Sequence, residues 1–270
     1  MRRTTTLIVL QRELAARGLD FGSSGYRLDM AITRRETLTL AAGSLIIATV
    51  ENARGEAPPP KKKLARAPNP VAPGKHTPVP LAFDPNKLPG LSERLLVSHH
   101  ENNYSGAVKN LNKVELELQN VTKDTPGYLV TALRERELTF TNSMILHECY
   151  FANLGGGGKA SGDVATALVT NFGSHARWEE LFRATALGLG GGSGWVFLDL
   201  NFHSGDLRIY GASAHSQSVA FGAPLLVLDM FEHAYALDYG AGHAKYIDAF
   251  FANIRWDEVD RRYQKARATA

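Results

Sequence analysis

A single cysteine in 270 residues excludes an internal disulfide framework and any zinc site built on paired cysteines, so metal or redox chemistry must rest on His, Asp or Glu. Nine histidines leave that open. Excess positive charge is also missing where a fold would need it to bind nucleic acid. Residues 1–80 hold thirteen of the thirty Lys and Arg but six of the twenty-seven Asp and Glu, so from Leu81 onward 17 basic face 21 acidic side chains. That net charge of −4 argues against a nucleic-acid-binding core. A dinucleotide fingerprint is lacking too, because Ser193 stands where the third glycine of the Gly188–Gly194 stretch would be required.

The charge-free apolar run at residues 38–50 is too short to span a bilayer as a mature helix. It follows Thr33-Arg34-Arg35-Glu36-Thr37-Leu38, and the pair of arginines before an uncharged run reads as a twin-arginine export signal over residues 1–57, with Met30 as an alternative start. The expected location is the periplasm or another exported compartment. Ten of the twelve prolines lie between Pro58 and Pro89, with Lys61-Lys62-Lys63 among them, so residues 58–80 read as a solvated, semi-extended linker. Membrane contact is expected only through the signal or this linker, if left uncleaved.

Helical periodicity starts after Pro89. Ser92 is placed to cap a helix running through Leu95, Leu96, His99, Val108 and Leu111 to about Asn120. A second helix fits from Gly127 or Tyr128 to Leu154, where Gly155 to Gly158 stop it, so residues 81–158 form a helical hairpin. Residues 161–186 give two shorter helices around a Phe172-Gly173-Ser174 turn. Strand spacing then takes over at 195–200, 207–211 and 225–228, followed by helices to Lys265. The order predicts an α+β chain, a hairpin followed by an α/β domain over residues 159–270.

The apolar run Leu225-Leu226-Val227-Leu228 ends on Asp229, and His233 lies one helical turn on. A carboxylate at the end of a buried strand is costly unless neutralised, and a metal cation does so directly. His99 and His147 sit among apolar residues on the two hairpin helices. Each alone reads more simply as a core histidine, but three His with one carboxylate suit Fe or Mn with an open coordination position. Cys149 reads as a small buried hydrophobe, and His175, His203 and His243 as solvated or capping residues.

Four separated motifs resemble the iron/manganese superoxide dismutases, over roughly Pro78 to the C-terminus. Asp229-Met230-Phe231-Glu232-His233-Ala234-Tyr235 is similar to the family's D-x-W-E-H-A-Y, Gly192-Ser193-Gly194-Trp195 to its G-S-G-W, Val108-Lys109-Asn110-Leu111-Asn112 to its Y-V-x-N-L-N region, and Pro80-Leu81-Ala82-Phe83 to the start of its mature domain. The resemblance implies a three-stranded antiparallel sheet in the second domain. It also implies one Fe or Mn ion per subunit, held by His99, His147, Asp229 and His233, with superoxide as substrate. Glu232 matches the glutamate that reaches across a dimer to the partner's ligand histidine, which implies a homodimer or a dimer of dimers.

Departures from the family surround this set. Asn103, Ala107 and Ala236 replace the gateway histidine and two tyrosines. Trp195 remains of the aromatic cage, whereas Phe231 and Phe151 stand where tryptophan is usual. The glutamine that orients the metal-bound solvent is absent: Ser143 takes its helical position and His215 its sheet position, an arrangement of small then long that resembles manganese-type members. His215 is therefore expected to orient the solvent, and Tyr104 or His100 to take over proton delivery. The expected activity is dismutation of superoxide to hydrogen peroxide and oxygen by alternating M(III) and M(II). The alternatives are a metal-binding relative with little dismutase activity, and another mononuclear oxidase or peroxidase chemistry.

Overall fold

The hydroxyl oxygen of Ser92 accepts the backbone N–H of Leu95 at 3.1 Å and starts the first helix where the sequence places its cap. A computed structural model describes residues 70–190, 192–217 and 219–269. The twin-arginine segment and Lys61-Lys62-Lys63 lie outside the described residues. Helix α1 (Glu93–Ser98) passes through a π-helical stretch, His99–Tyr104, into α2 (Ser105–Gln119). The wider π turn changes the angular spacing of side chains, and both His99 and Tyr104 are buried there. Helix α3 (Gly127–Ala152) packs back along α2 to complete the hairpin.

The glycine run does more than stop α3. Gly156 and Gly158 donate their N–H groups to the carbonyls of Asn253 and Ile254, both at 3.0 Å. A Cβ on Gly156 would collide with the Ile254 carbonyl, so the close approach of the two backbones requires glycine there. Helices α4 (Gly162–Phe172) and α5 (His175–Leu189) follow, joined through Gly173 at φ +83°, a left-handed turn that glycine adopts without strain.

Strands β1 (Trp195–Asn201), β2 (Leu207–Ala212) and β3 (Gly222–Asp229) form an antiparallel sheet in the order β2-β1-β3. β3 begins earlier than the apolar run suggested and includes Pro224, which a strand tolerates at a sheet edge. The register of β1 on β3 slips between Leu198 and Asp199, just opposite that proline. Glu232–Ala234 forms one 3-10 turn, and α6 (Ala236–Tyr239), α7 (His243–Ala252) and α8 (Trp256–Arg267) close the chain. The α+β order expected from the sequence is the one observed. Arg262 on α8 donates to Glu258, to the Leu225 carbonyl and to the Cys149 carbonyl, tying α8 to β3 and α3. Cys149 is half-buried against the core, and burial pushes its thiol pKa up.

The linker reading needs correction at its C-terminal end. Residues 75–80 form no helix or strand, but Gly74 and His76 donate backbone N–H groups to Glu115 and Asn112 at 2.6 and 2.9 Å, and Val79 donates to the Tyr104 hydroxyl at 2.7 Å. The segment is strapped to α2, because two polar side chains on that helix satisfy backbone groups that proline-rich chain cannot pair within itself. No helix among the described residues is long and apolar enough to cross a membrane.

Candidate metal centre

Strand β3 is buried from Leu225 onward and delivers Asp229 with none of its surface exposed. The Phe231 N–H holds Asp229 Oδ1 at 2.8 Å, which leaves Oδ2 to face three imidazoles. The Nε2 atoms of His99, His233 and His147 lie 3.1, 3.2 and 3.5 Å from that one oxygen. One donor atom from each of the four residues lies within 4.8 Å of the others. The four residues picked out in the sequence are thus brought together, two from the hairpin and two from the end of β3 and the 3-10 turn after it.

The protonation pattern shows what the cluster is suited to hold. His147 Nδ1 lies 2.6 Å from the Ser143 carbonyl, which only accepts, so the ring proton sits on Nδ1 and Nε2 carries a lone pair. That Nε2 is buried with no hydrogen-bond partner, facing a carboxylate oxygen. Burial pushes the His147 pKa down to about 3, with the His99 charge adding to the effect, so a proton does not fill the gap at neutral pH. Burial also lowers His99, more than Asp229 raises it. Burial alone would raise Asp229, but His233 and His99 outweigh it and hold the carboxyl well below the usual carboxylate range. A carboxylate oxygen facing an unprotonated, unpartnered imidazole nitrogen fits a cation between them. The Tyr246 hydroxyl donates to the Asp229 carbonyl at 2.7 Å and fixes the strand end from behind, a support that no sequence motif marked.

Aromatic rings wall the cluster. Phe151 lies 4.9 Å from His99, Trp195 5.0 Å from His147, and Phe231 stacks 5.4 Å from His233, ring centre to ring centre. Beside them opens a cavity of about 220 Å³, lined by Asn103, Ala107, Ser143, His147, His215 and His233 among others. His215, in the turn after β2, stacks on Phe231 at 4.3 Å and accepts the Trp195 indole N–H on Nδ1 at 2.9 Å. Its neutral ring therefore carries the proton on Nε2, and burial lowers its pKa.

Tyr104 departs from the expected role. Its ring is buried 6.2 Å from His147, but its hydroxyl donates to Glu148 at 3.0 Å and accepts the Val79 N–H, so it is committed to the strap and not to the cavity. His100 is likewise spent on the Val79 carbonyl at 2.8 Å. Replacing Tyr104 by Phe is expected to cost about 1–2 kcal/mol of stability in denaturant titrations while changing dismutase kcat/KM by less than about twofold. A tenfold loss of rate at full stability would return the hydroxyl to the reaction. Two further histidines also differ from expectation. His175 packs against Trp178 and Trp256 with a buried, unpartnered Nε2, and His243 is half-buried against Gly190.

Residues 160–262 match the family model of the iron/manganese superoxide dismutase C-terminal domain. The superoxide dismutase [Fe] of Cupriavidus metallidurans is 48% identical over 188 residues, covering 69% of this chain and 95% of that protein. The chain belongs to the iron/manganese superoxide dismutase family. Superoxide dismutase [Fe] of Aquifex aeolicus is 37% identical, covering 67% of this chain and 88% of that protein, and superoxide dismutase [Mn] 1 of Halobacterium salinarum is 33% identical, covering 69% and 94%. Relatives named for either metal thus surround this family member. Its four-residue cluster also stands where the motif resemblance implied.

Proposed function

We propose that this protein is an exported superoxide dismutase that holds one Fe or Mn ion per subunit on His99, His147, Asp229 and His233. The observation that carries the reading is the unpartnered Nε2 of His147 aimed at Asp229 Oδ2, a lone pair facing an anion that a bound cation satisfies. The bound ion would supply one-electron exchange, oxidising one superoxide to dioxygen and reducing another, with two protons, to hydrogen peroxide. Three neutral imidazoles and one carboxylate keep the site's net charge low, which favours an anionic substrate. Trp195, Phe231 and Phe151 wall the cluster, while His233 stays partly exposed to the cavity through which an anion can enter.

His215 supports the reading through its tautomer. With Nδ1 engaged by Trp195, its Nε2–H is the donor available to the cavity, where it orients solvent or superoxide. Changing His215 to Ala is expected to lower kcat about 10–100-fold with metal content unchanged, and to shift the midpoint potential. Loss of metal instead would make His215 a structural residue.

The Glu232 side chain is exposed beside His233 and makes no hydrogen bond or ion pair among the described residues, which supports its reaching a second copy. A homodimer or dimer of dimers follows from that reading. The arginine pair at positions 34 and 35 supports export to the periplasm. Bound Fe and Mn measured on the same sample as superoxide consumption tests the activity: full loading with negligible dismutation favours the metal-binding, catalytically weak alternative. That alternative rests on Ala107 and Asn103 lining the cavity where the family has tyrosine and histidine.

A further inference from the structure

Asp199 lies in the central strand β1 with 1% of its surface exposed. Its Oδ1 is buried without a partner, and the carboxylate makes no hydrogen bond or ion pair among the described residues. The other two buried carboxylates among the described residues are compensated, Asp229 by the three imidazoles and Glu258 by Arg255, Arg261 and Arg262. An uncompensated buried carboxylate is costly, so something outside the described structure is expected to answer it.

The surroundings narrow what that is. The register slip at Leu198/Asp199 turns the side chain toward Gly222, where any Cβ would collide with the carboxylate. Beside it opens a cavity of about 140 Å³ bounded by Asn142, Leu146, Phe197, Gln217, Val219 and Pro224. Asn142 spends its Nδ2 on the His215 carbonyl at 2.8 Å, leaving Oδ1 free to accept, and Gln217 Oε1 is taken by the Ser213 N–H at 2.7 Å. The cross-strand neighbour of Asp199 is Arg208, but its guanidinium pairs with Asp206. α3, β3 and the loop before β3 present no titratable group to the cavity.

We propose that this cavity binds a small primary alkylammonium ion, its nitrogen held by the Asp199 carboxylate and Asn142 Oδ1 and its chain lying on Leu146, Phe197, Val219 and Pro224. One carboxylate matches one positive charge. A hard divalent ion would need several more oxygens than this wall supplies, while the apolar lining suits a short hydrocarbon chain. Burial raises the Asp199 pKa to about 6, so protons compete with the ammonium ion below that pH.

The test is calorimetric titration of the metal-loaded full chain with n-butylammonium chloride, using n-butanol as the uncharged control. Butylammonium is expected to bind at pH 7.5 at least ten times more tightly than butanol, and roughly tenfold more weakly at pH 5 than at pH 7.5. Asp199→Asn is expected to weaken ammonium binding at least tenfold and to abolish the pH dependence, with no fall in melting temperature. The pH comparison on the unaltered protein stands if that variant fails to fold. No binding at about 50 mM, equal affinity for butylammonium and butanol, or undiminished binding by a folded Asp199→Asn protein would each overturn the proposal. None of these readouts depends on dismutase activity.

Discussion

Asp229→Asn is expected to yield a folded protein that retains less than about a tenth of an ion per subunit and consumes superoxide at least ~100-fold more slowly, since losing a ligand costs more than the 10–100-fold typical of its supporting partners. The same change should also weaken the metal-free protein, because His233 and His99 hold the Asp229 carboxyl ionised below its usual range and so stabilise the fold. Asp229 Oδ2 is the one anionic centre toward which His99, His147 and His233 all converge, so its amide replacement removes both the anion that balances a cation and the carboxylate that His99 and His233 contact. Elemental analysis and melting curves, with and without added metal, separate the two effects. Added metal should no longer raise the variant's melting temperature, and its metal-free value should lie below that of the unaltered metal-free protein. A variant that kept full loading and activity would remove Asp229 from the ligand set.

Acid should unfold the metal-free protein steeply between pH 6.5 and about 3. A solvated imidazole titrates near 6.5, whereas burial brings His147 down to about 3 in the folded protein. The unfolded chain therefore takes up a proton that the folded chain refuses, and stability present above pH 6.5 is lost as pH falls toward 3. The shift corresponds to on the order of 4–5 kcal/mol. His99 is displaced in the same direction, also chiefly by burial, so it steepens the fall. Urea midpoints at pH 7, 5.5 and 4.5 measure the slope. In His147→Gln, which titrates nowhere in this range, the slope should be visibly smaller; an unchanged slope would mean that other groups carry the acid sensitivity. Protons and metal compete for the same nitrogens, so the ion should be released over the same acid range.

Much of this was legible in the sequence because buried helices and strands impose periods on apolar residues. The hairpin, the three strands and the Asp229 to His233 spacing are all readable in that way. The convergence of His99 and His147 on Asp229 was implied by family resemblance, since spacing cannot bring positions 130 apart together. What local pattern could not show was the direction of a hydroxyl. Tyr104 shares the buried π-helical stretch with His99, yet its oxygen is claimed by Val79 and Glu148, partners separated from it by 25 and 44 positions. The strap itself was hidden because proline richness reads as solvated linker, while its anchors, Glu115 and Asn112, are ordinary polar residues on a helix. Asp199 does leave a trace in the sequence: an acid within the strand Trp195-Val196-Phe197-Leu198-Asp199-Leu200 breaks an otherwise apolar run.

The donor cluster draws two histidines from the hairpin and its remaining pair from the end of β3 and the turn that follows it. A ribosome-bound chain that has released the hairpin alone offers two imidazoles and no carboxylate from this set. Four-point capture becomes possible only after position 233 has emerged. A cation held by all four is therefore captured only once the sheet and the turn after it have been made, from whatever metal supply then surrounds the chain.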